Sequence, residues 1–154
     1  MIEQNFINFN IFTRFMENKK HIVAINAFIK SKSGDKFLIV KRNKDEIAYP
    51  GKWVFPGGKS EKGETIMDVL KREVLEEVGL EIEDNKRYIK DFTFVRPDGH
   101  NVIGFCFEIK SKSDDVKLSN DFEDFKWITP EELSNFDHIK GMEKEVEIVF
   151  NQNN

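Results

Sequence analysis

The chain has 154 residues, with 24 Lys and Arg against 28 Asp and Glu for a net charge of −4, and is 39% hydrophobic and 34% charged. This length and composition indicate one globular domain with a core of its own. They exclude a membrane span, since no apolar run approaches roughly 18 residues, and the acidic balance argues against a long nucleic-acid partner. No secretory pattern is present, so the expected location is cytoplasmic.

In chain order, residues 1 to 18 hold Phe6, Phe9, Phe12 and Phe15. Ile7, Phe9 and Ile11 alternate as in a strand, whereas the four phenylalanines fall near helical spacing, and both readings stay open. The segment is too apolar for a free tail, so this extension is expected to pack on the domain or on a second subunit, which leaves a homodimer open. Residues 19 to 154 form the domain itself.

Residues 21–30 and 36–42 read as β-branched strands joined by "SKSGD". A short strand at 52–55 is cut off by Pro56, Gly57 and Gly58. A helix is expected from Thr65 to Val78, with Gly79 as its C-cap. Strands at 87–95 and 101–109 flank the turn "RPDGH", and "FKWI" at 125–128 is the last strand. Thr129 caps a helix beginning at Pro130, and Met142, Val146, Val149 and Phe150 mark a final amphipathic helix. The order predicts an α/β (α+β) fold in which helices pack on a sheet. The single Cys106, in "VIGFCFEI", excludes an internal disulfide and reads as an inert buried strand residue.

Charge is unevenly placed. Residues 30–62 carry nine Lys or Arg against four Asp or Glu, and residues 63–84 two against eight. Two solvated surfaces would explain the split, as would an anionic ligand held through divalent cations. The helix at 65–78 sharpens the question, because its apolar stripe of Ile66, Val69, Leu70, Val74 and Val78 runs into Glu73, Glu76 and Glu77. Carboxylates at i, i+3 and i+4 are neighbours that repel by a few tenths of a kcal/mol per pair even in water. Partial burial makes that worse unless protons or a multivalent cation intervene, and hard oxygen ligands suit Mg²⁺ or Mn²⁺. Alternatively, Arg72 and Lys71 neutralise a solvated acidic face.

Residues 57–80, "GGKSEKGETIMDVLKREVLEEVGL", fill every fixed position of the pattern G-x5-E-x7-R-E-U-x-E-E-x-G-U, where U is a bulky aliphatic residue. The positions are Gly58, Glu64, Arg72, Glu73, Val74, Glu76, Glu77, Gly79 and Leu80. The chain therefore resembles the Nudix hydrolase family, MutT-like members in particular, most closely over residues 36–80 and more loosely at "FKWITPEEL". The resemblance implies an α/β/α sandwich around a mixed β-sheet and Mg²⁺-dependent hydrolysis, Mn²⁺ being an alternative, of a nucleoside diphosphate linked to another group.

That resemblance also implies roles. Glu73, Glu76 and Glu77 are the metal-binding or water-activating carboxylates, with Glu73 a candidate for both, and Gly57 brings a carbonyl near the metal. Arg72 orients Glu73 or the loop carbonyls. Glu64 serves the metal and substrate site or the helix start. Gly58 and the strand-end residues Lys41 and Arg42 are candidate substrate contacts, and Glu123 in "SNDFEDFKW" is the choice for a further acid from a later loop. Trp53, Phe94 and Tyr49 are candidates to stack on a base, against the alternative that they are core residues. His100 and His138 have no partner visible in the sequence.

Pro97 falls just beyond the place where a proline marks ADP-ribose enzymes, and neither the tyrosine of diadenosine polyphosphate enzymes nor the long signature of the NADH class is present. A MutT-type nucleoside triphosphate pyrophosphohydrolase is the leading expectation. ADP-ribose or nucleotide-sugar hydrolysis is the alternative within the enzymes, and a non-catalytic nucleotide-binding module the alternative outside them.

Overall fold

A computed structural model describes residues 21–151; the expectation for residues 1 to 18 lies outside them. The elements are β1 (Ile22–Lys30), β2 (Phe37–Arg42), β3 (Trp53–Val54), β4 (Gly57–Lys59), α1 (Ile66–Val78), β5 (Ile82–Val95), β6 (Asn101–Ser111), β7 (Phe122–Ile128), a 3-10 turn at Pro130–Asn135, and α2 (Met142–Phe150). Seven strands form one mixed sheet in the order β3-β2-β1-β6-β5, with β4 added to β1 and β7 to β2. The β1–β6 pair is parallel and the other pairs are antiparallel.

Alternation along β1 divides the interior into two layers. Ile25, Ala27 and Ile29 join Val69, Leu70, Val74 and Val78 of α1 on one face. Phe28 joins Cys106, Met142, Val146 and Val149 on the other, under α2. A sheet with helices on both faces is the α/β/α sandwich that the resemblance implied. Cys106 is fully buried, as its apolar strand context indicated.

Local chemistry fixes α1. The Thr65 hydroxyl accepts from the Asp68 N–H while the Asp68 carboxylate accepts from the Thr65 N–H, a reciprocal cap of the kind whose loss costs about 1 kcal/mol. At the other end Gly79, at φ 65°, donates its N–H to the Leu75 carbonyl. Ile66 departs from the expected stripe: it lies at the helix start, where the sheet no longer covers it, and is exposed.

Two differences from the sequence reading concern strands. Gly57–Lys59 is not merely a turn after Pro56 but a strand, with Gly57, Gly58 and Lys59 opposite Asn26, Ile25 and Ala24 of β1. β5 starts five residues earlier than expected, its first part interrupted by register shifts against β6. Among the described residues no helix is long and apolar enough to cross a membrane.

Candidate active site

The last turns of α1 present two kinds of side chain. Val74 and Val78 are buried against the sheet. Glu73 and Glu77, each one residue earlier, turn toward β4. The Gly57 N–H donates to Glu77 Oε2 at 2.8 Å. A Cβ added at Gly58 would stand 2.2 Å from the carboxylate carbon of Glu73. Gly57 has equally little room: at φ 151° its Cβ would lie 2.2 Å from the Ile25 carbonyl oxygen. Both glycines let backbone pass between β1 and the carboxylates of α1, where any side chain would push one of them away.

Arg72 fixes this arrangement from the side. Its Nε and Nη2 donate to the two oxygens of Glu64 at 2.5 and 2.8 Å, its Nη1 to Glu73 Oε1 at 2.7 Å, and its Nη2 also to the Lys59 carbonyl at 3.1 Å. A planar fork satisfied on several sides is a rigid strut, which a lysine would not replace. Glu64 also accepts from the Glu61 N–H, so both its oxygens are engaged within the protein. Immediately before the N-cap Thr65, Glu64 thus anchors Arg72, while Asp68 makes the reciprocal cap. The Arg72 guanidinium holds the Glu64 carboxyl at about 2 and is itself held further toward its charged form by Glu64 and Glu73.

Glu77 behaves in the opposite sense. Burial pushes its carboxyl up to about 8 against the stabilising Gly57 N–H, the negative charges of Glu73 and Asp121 push the same way, and the positive charge of Arg42 opposes them. Glu76 stands apart, with 61% of its side chain exposed and only a 3.5 Å contact to Arg72. Of the three glutamates, α1 thus brings two to the glycine strand and leaves the third at the rim. Among the described residues no three Asp, Glu, His or Cys side chains converge closely enough to hold a metal ion by themselves. The donor set nevertheless fits a divalent cation completed by waters and phosphate: a half-buried carboxylate with one N–H donor, a second carboxylate beside it, and an excess of negative charge.

A cleft of about 280 Å³ opens beside β4 on the face of the sheet opposite α1. Gly57, Gly58 and Lys59 of β4 wall one end and Phe92, Phe94 and Arg96, on or just after β5, the other, with Asn26, Arg42 and Tyr49 lining it as well. Tyr49 and Phe94 meet edge to face, their ring centroids 5.6 Å apart. Tyr49 takes φ 53°, unusual for an aromatic residue, on the loop that overhangs this end.

The candidate residues outside the 57–80 pattern, or Nudix box, are distributed unevenly. Arg42 is on the cleft wall, its Nε donating to the Ala48 carbonyl at 2.7 Å and its Nη2 to Glu46 at 2.8 Å. Lys41 points elsewhere and pairs with Glu123 at 3.1 Å, so these two candidates engage each other instead of the cleft. The acid whose charge reaches Glu77 is Asp121. Trp53 is not on the cleft wall: it is buried in the layer under α2, packed on Phe136 at 5.0 Å, which is the core alternative for this residue. Arg96 and Phe92 escaped the sequence reading, Arg96 because it stands at the entry of "RPDGH" and reads only as part of a turn.

A glycine strand clamped between β1 and a helical Glu/Arg cluster, with a nucleotide-sized cleft alongside, is a family's geometry, and comparison with known proteins identifies the family. The family model described as NUDIX domain matches residues 20–148. The chain belongs to this family: it is a Nudix hydrolase. It is 32% identical over 111 residues to the nucleoside triphosphatase NudI of Escherichia coli O81 (strain ED1a), covering 66% of this chain and 78% of that protein. It superposes on a MutT protein from Methanosarcina mazei Go1 with TM-score 0.72 and 26% identity, covering 88% of this chain and 96% of that one. The NUDIX domain of Shewanella oneidensis NrtR, crystallised with ADP ribose, gives TM-score 0.68 at 14% identity, covering 84% of this chain and 86% of that one, a likeness of fold alone. Nudix hydrolases generally use a divalent metal, and in this one Glu77 and Glu73 are the carboxylates whose burial and placement suit it.

Proposed function

We propose that this Nudix hydrolase cleaves (d)NTPs with Mg²⁺, adding water across a phosphoanhydride bond to release a nucleoside monophosphate and pyrophosphate. The observation that supports the reading is that the cleft is walled by Gly57 and Gly58, which touch Glu77 and Glu73 on their other side, and also by the aromatic residues Tyr49, Phe92 and Phe94, against which a base would lie. The relative named a nucleoside triphosphatase supports the same substrate class.

When bound, the metal would neutralise phosphate charge and favour in-line attack by water. The chain supplies the rest. Glu77, anchored by the Gly57 N–H, and Glu73, anchored at Oε1 by Arg72, hold their carboxylates in one orientation. Glu73 Oε2 is then available to a cation or to the proton of the attacking water, and Glu76 at the exposed rim is the alternative acceptor. Arg42 faces the cleft as the phosphate-side cation.

Purified protein incubated with Mg²⁺ and a panel of NTPs, dNTPs, ADP-ribose and nucleotide sugars, with products separated by chromatography, tests this. The expected products are monophosphate and pyrophosphate, lost on chelation. Faster cleavage of ADP-ribose than of any triphosphate would overturn the assignment in favour of the enzyme alternative, and no cleavage of any compound would favour a binding module.

A further inference from the structure

The aromatic end of the cleft holds one cation with no use in the phosphate chemistry. Arg96 follows β5 and enters the turn in which its N–H donates to the His100 carbonyl and Gly99, at φ 87°, donates back to the Arg96 carbonyl. Its guanidinium lies on the cleft wall beside Phe92 and Phe94, with 16% of the side chain exposed. Asp98 takes one Nη2 contact at 2.9 Å but is itself half-exposed and shared with His100. Among the described residues Arg96 Nε has no acceptor although it is buried. A guanidinium on the cleft lining with one buried nitrogen unmatched, and another tied only to a partly exposed carboxylate, has donor capacity to offer a ligand once its side chain re-orients.

Strand register says which part of a ligand that acceptor belongs to. Gly57 is level with Asn26, whereas Phe94, Val102 and Ile22 are level with one another four residues down β1, roughly 13 Å along the strand at ~3.3 Å per residue, and β5 lies across β1 and β6 from β4. Arg96 lies beyond that line. Phosphates at the glycine strand therefore leave the base, not the triphosphate, against Arg96 and the Tyr49–Phe94 pair.

We propose that Arg96 is a specificity-determining residue, exchanging its Asp98 contact for the carbonyl edge of the base, so that oxo bases (guanine, uracil, thymine) are taken in preference to amino bases (adenine, cytosine). The inference rests on the nucleotide reading above. A guanidinium carries only donors; guanine offers O6 and N7 and uracil or thymine O4, while adenine and cytosine turn an amino donor toward the same position.

The test compares kcat/KM for GTP, UTP, ATP and CTP, and binding of GMP, UMP, AMP and CMP, in wild type, Arg96→Met, Arg96→Lys and Asp98→Asn. Wild type is expected to favour the oxo members by at least about fivefold. Arg96→Met should bring that ratio close to one by weakening the oxo members alone, Arg96→Lys should keep part of it, and Asp98→Asn should widen it. Should Arg96→Met fail to fold, the other two variants carry the comparison. An equal loss on all four nucleotides would put Arg96 on the phosphates or in the fold, and an unchanged ratio would remove it from recognition; either overturns the proposal. Monophosphate binding still reports on Arg96 if no triphosphate is cleaved, so failure of the hydrolysis assignment is distinguishable.

Discussion

Two glutamates lie on opposite sides of the same sheet, the half-buried Glu77 on α1 and the buried Glu145 on α2. Burial pushes both carboxyls up, to about 8 and about 7. Their surroundings differ. Glu145 accepts from the Cys106 thiol and feels the attraction of Lys90 inside an apolar layer, with only Glu143 opposing. Glu77 sits beside Glu73, within reach of the charge of Asp121, on a glycine strand that opens to a cleft. The contrast teaches that the upward push alone does not mark a site: Glu77 has two carboxylate neighbours and a cleft alongside, whereas Glu145 has one carboxylate neighbour and packs within an apolar layer.

The largest expected effect separates the two directly. Glu77→Gln should lower turnover by about a hundredfold or more, because it removes a charge from the proposed metal and phosphate site. Glu145→Gln should leave turnover within about twofold and alter only stability. Steady-state kinetics on the best triphosphate checks both, and equal losses would erase the distinction drawn here.

Next in size is the strut. Arg72→Lys should cost about 10- to 100-fold in turnover while thermal unfolding moves little, because Glu73 and Glu64 lose a planar fork but keep a positive neighbour. Melting curves alongside kinetics would show whether the loss is instead one of folding.

Mg²⁺ should raise the melting temperature of wild type and of Glu145→Gln, and raise that of Glu77→Gln much less, since a ligand that binds only the folded state stabilises it. Without metal, pH gives the complementary reading. Both carboxyls have folded values above the unfolded 4.5, so the stability contributed by their neutral forms is full below that value and is lost as pH rises through about 7 for Glu145 and about 8 for Glu77. Each Gln variant should flatten its own part of that decline, measured by urea unfolding in chelator between pH 5 and 9. The smallest effect concerns the aromatic residues: Trp53→Phe should shift stability and leave KM unchanged, whereas Tyr49→Ala at the cleft should raise KM severalfold.

Much of the site was legible without coordinates. The helix at 65–78, its caps and its Glu and Arg spacing are local: hydrogen bonds within a few residues set the ends, and 100° per residue sets which side chains are neighbours. That was enough to find the box and its family. Which neighbour turns inward was not legible, since Glu73 and Glu76 differ only in what the sheet brings opposite them. Trp53 went to the core because its strand is two residues long, and the face it presents is set by pairing with Lys41 of β2. Glu123 pairs with Lys41 and does not line the cleft; it stands where β2 and β7 shift register, Lys41 facing Asp124 and Arg42 facing Phe122, so it has no partner position in the ladder and its direction could not be read from alternation.

The sequence alone determined the acidic helix, its glycine entry, the strand set and the Nudix identity, because these follow from short-range spacing along one chain. Tertiary structure alone decided which carboxylates meet Gly57 and Gly58, which aromatics line the cleft, and that Arg96 from a distant hairpin stands at its far end. Those outcomes depend on strand register and on burial, and both arise only when segments far apart in the chain are packed together.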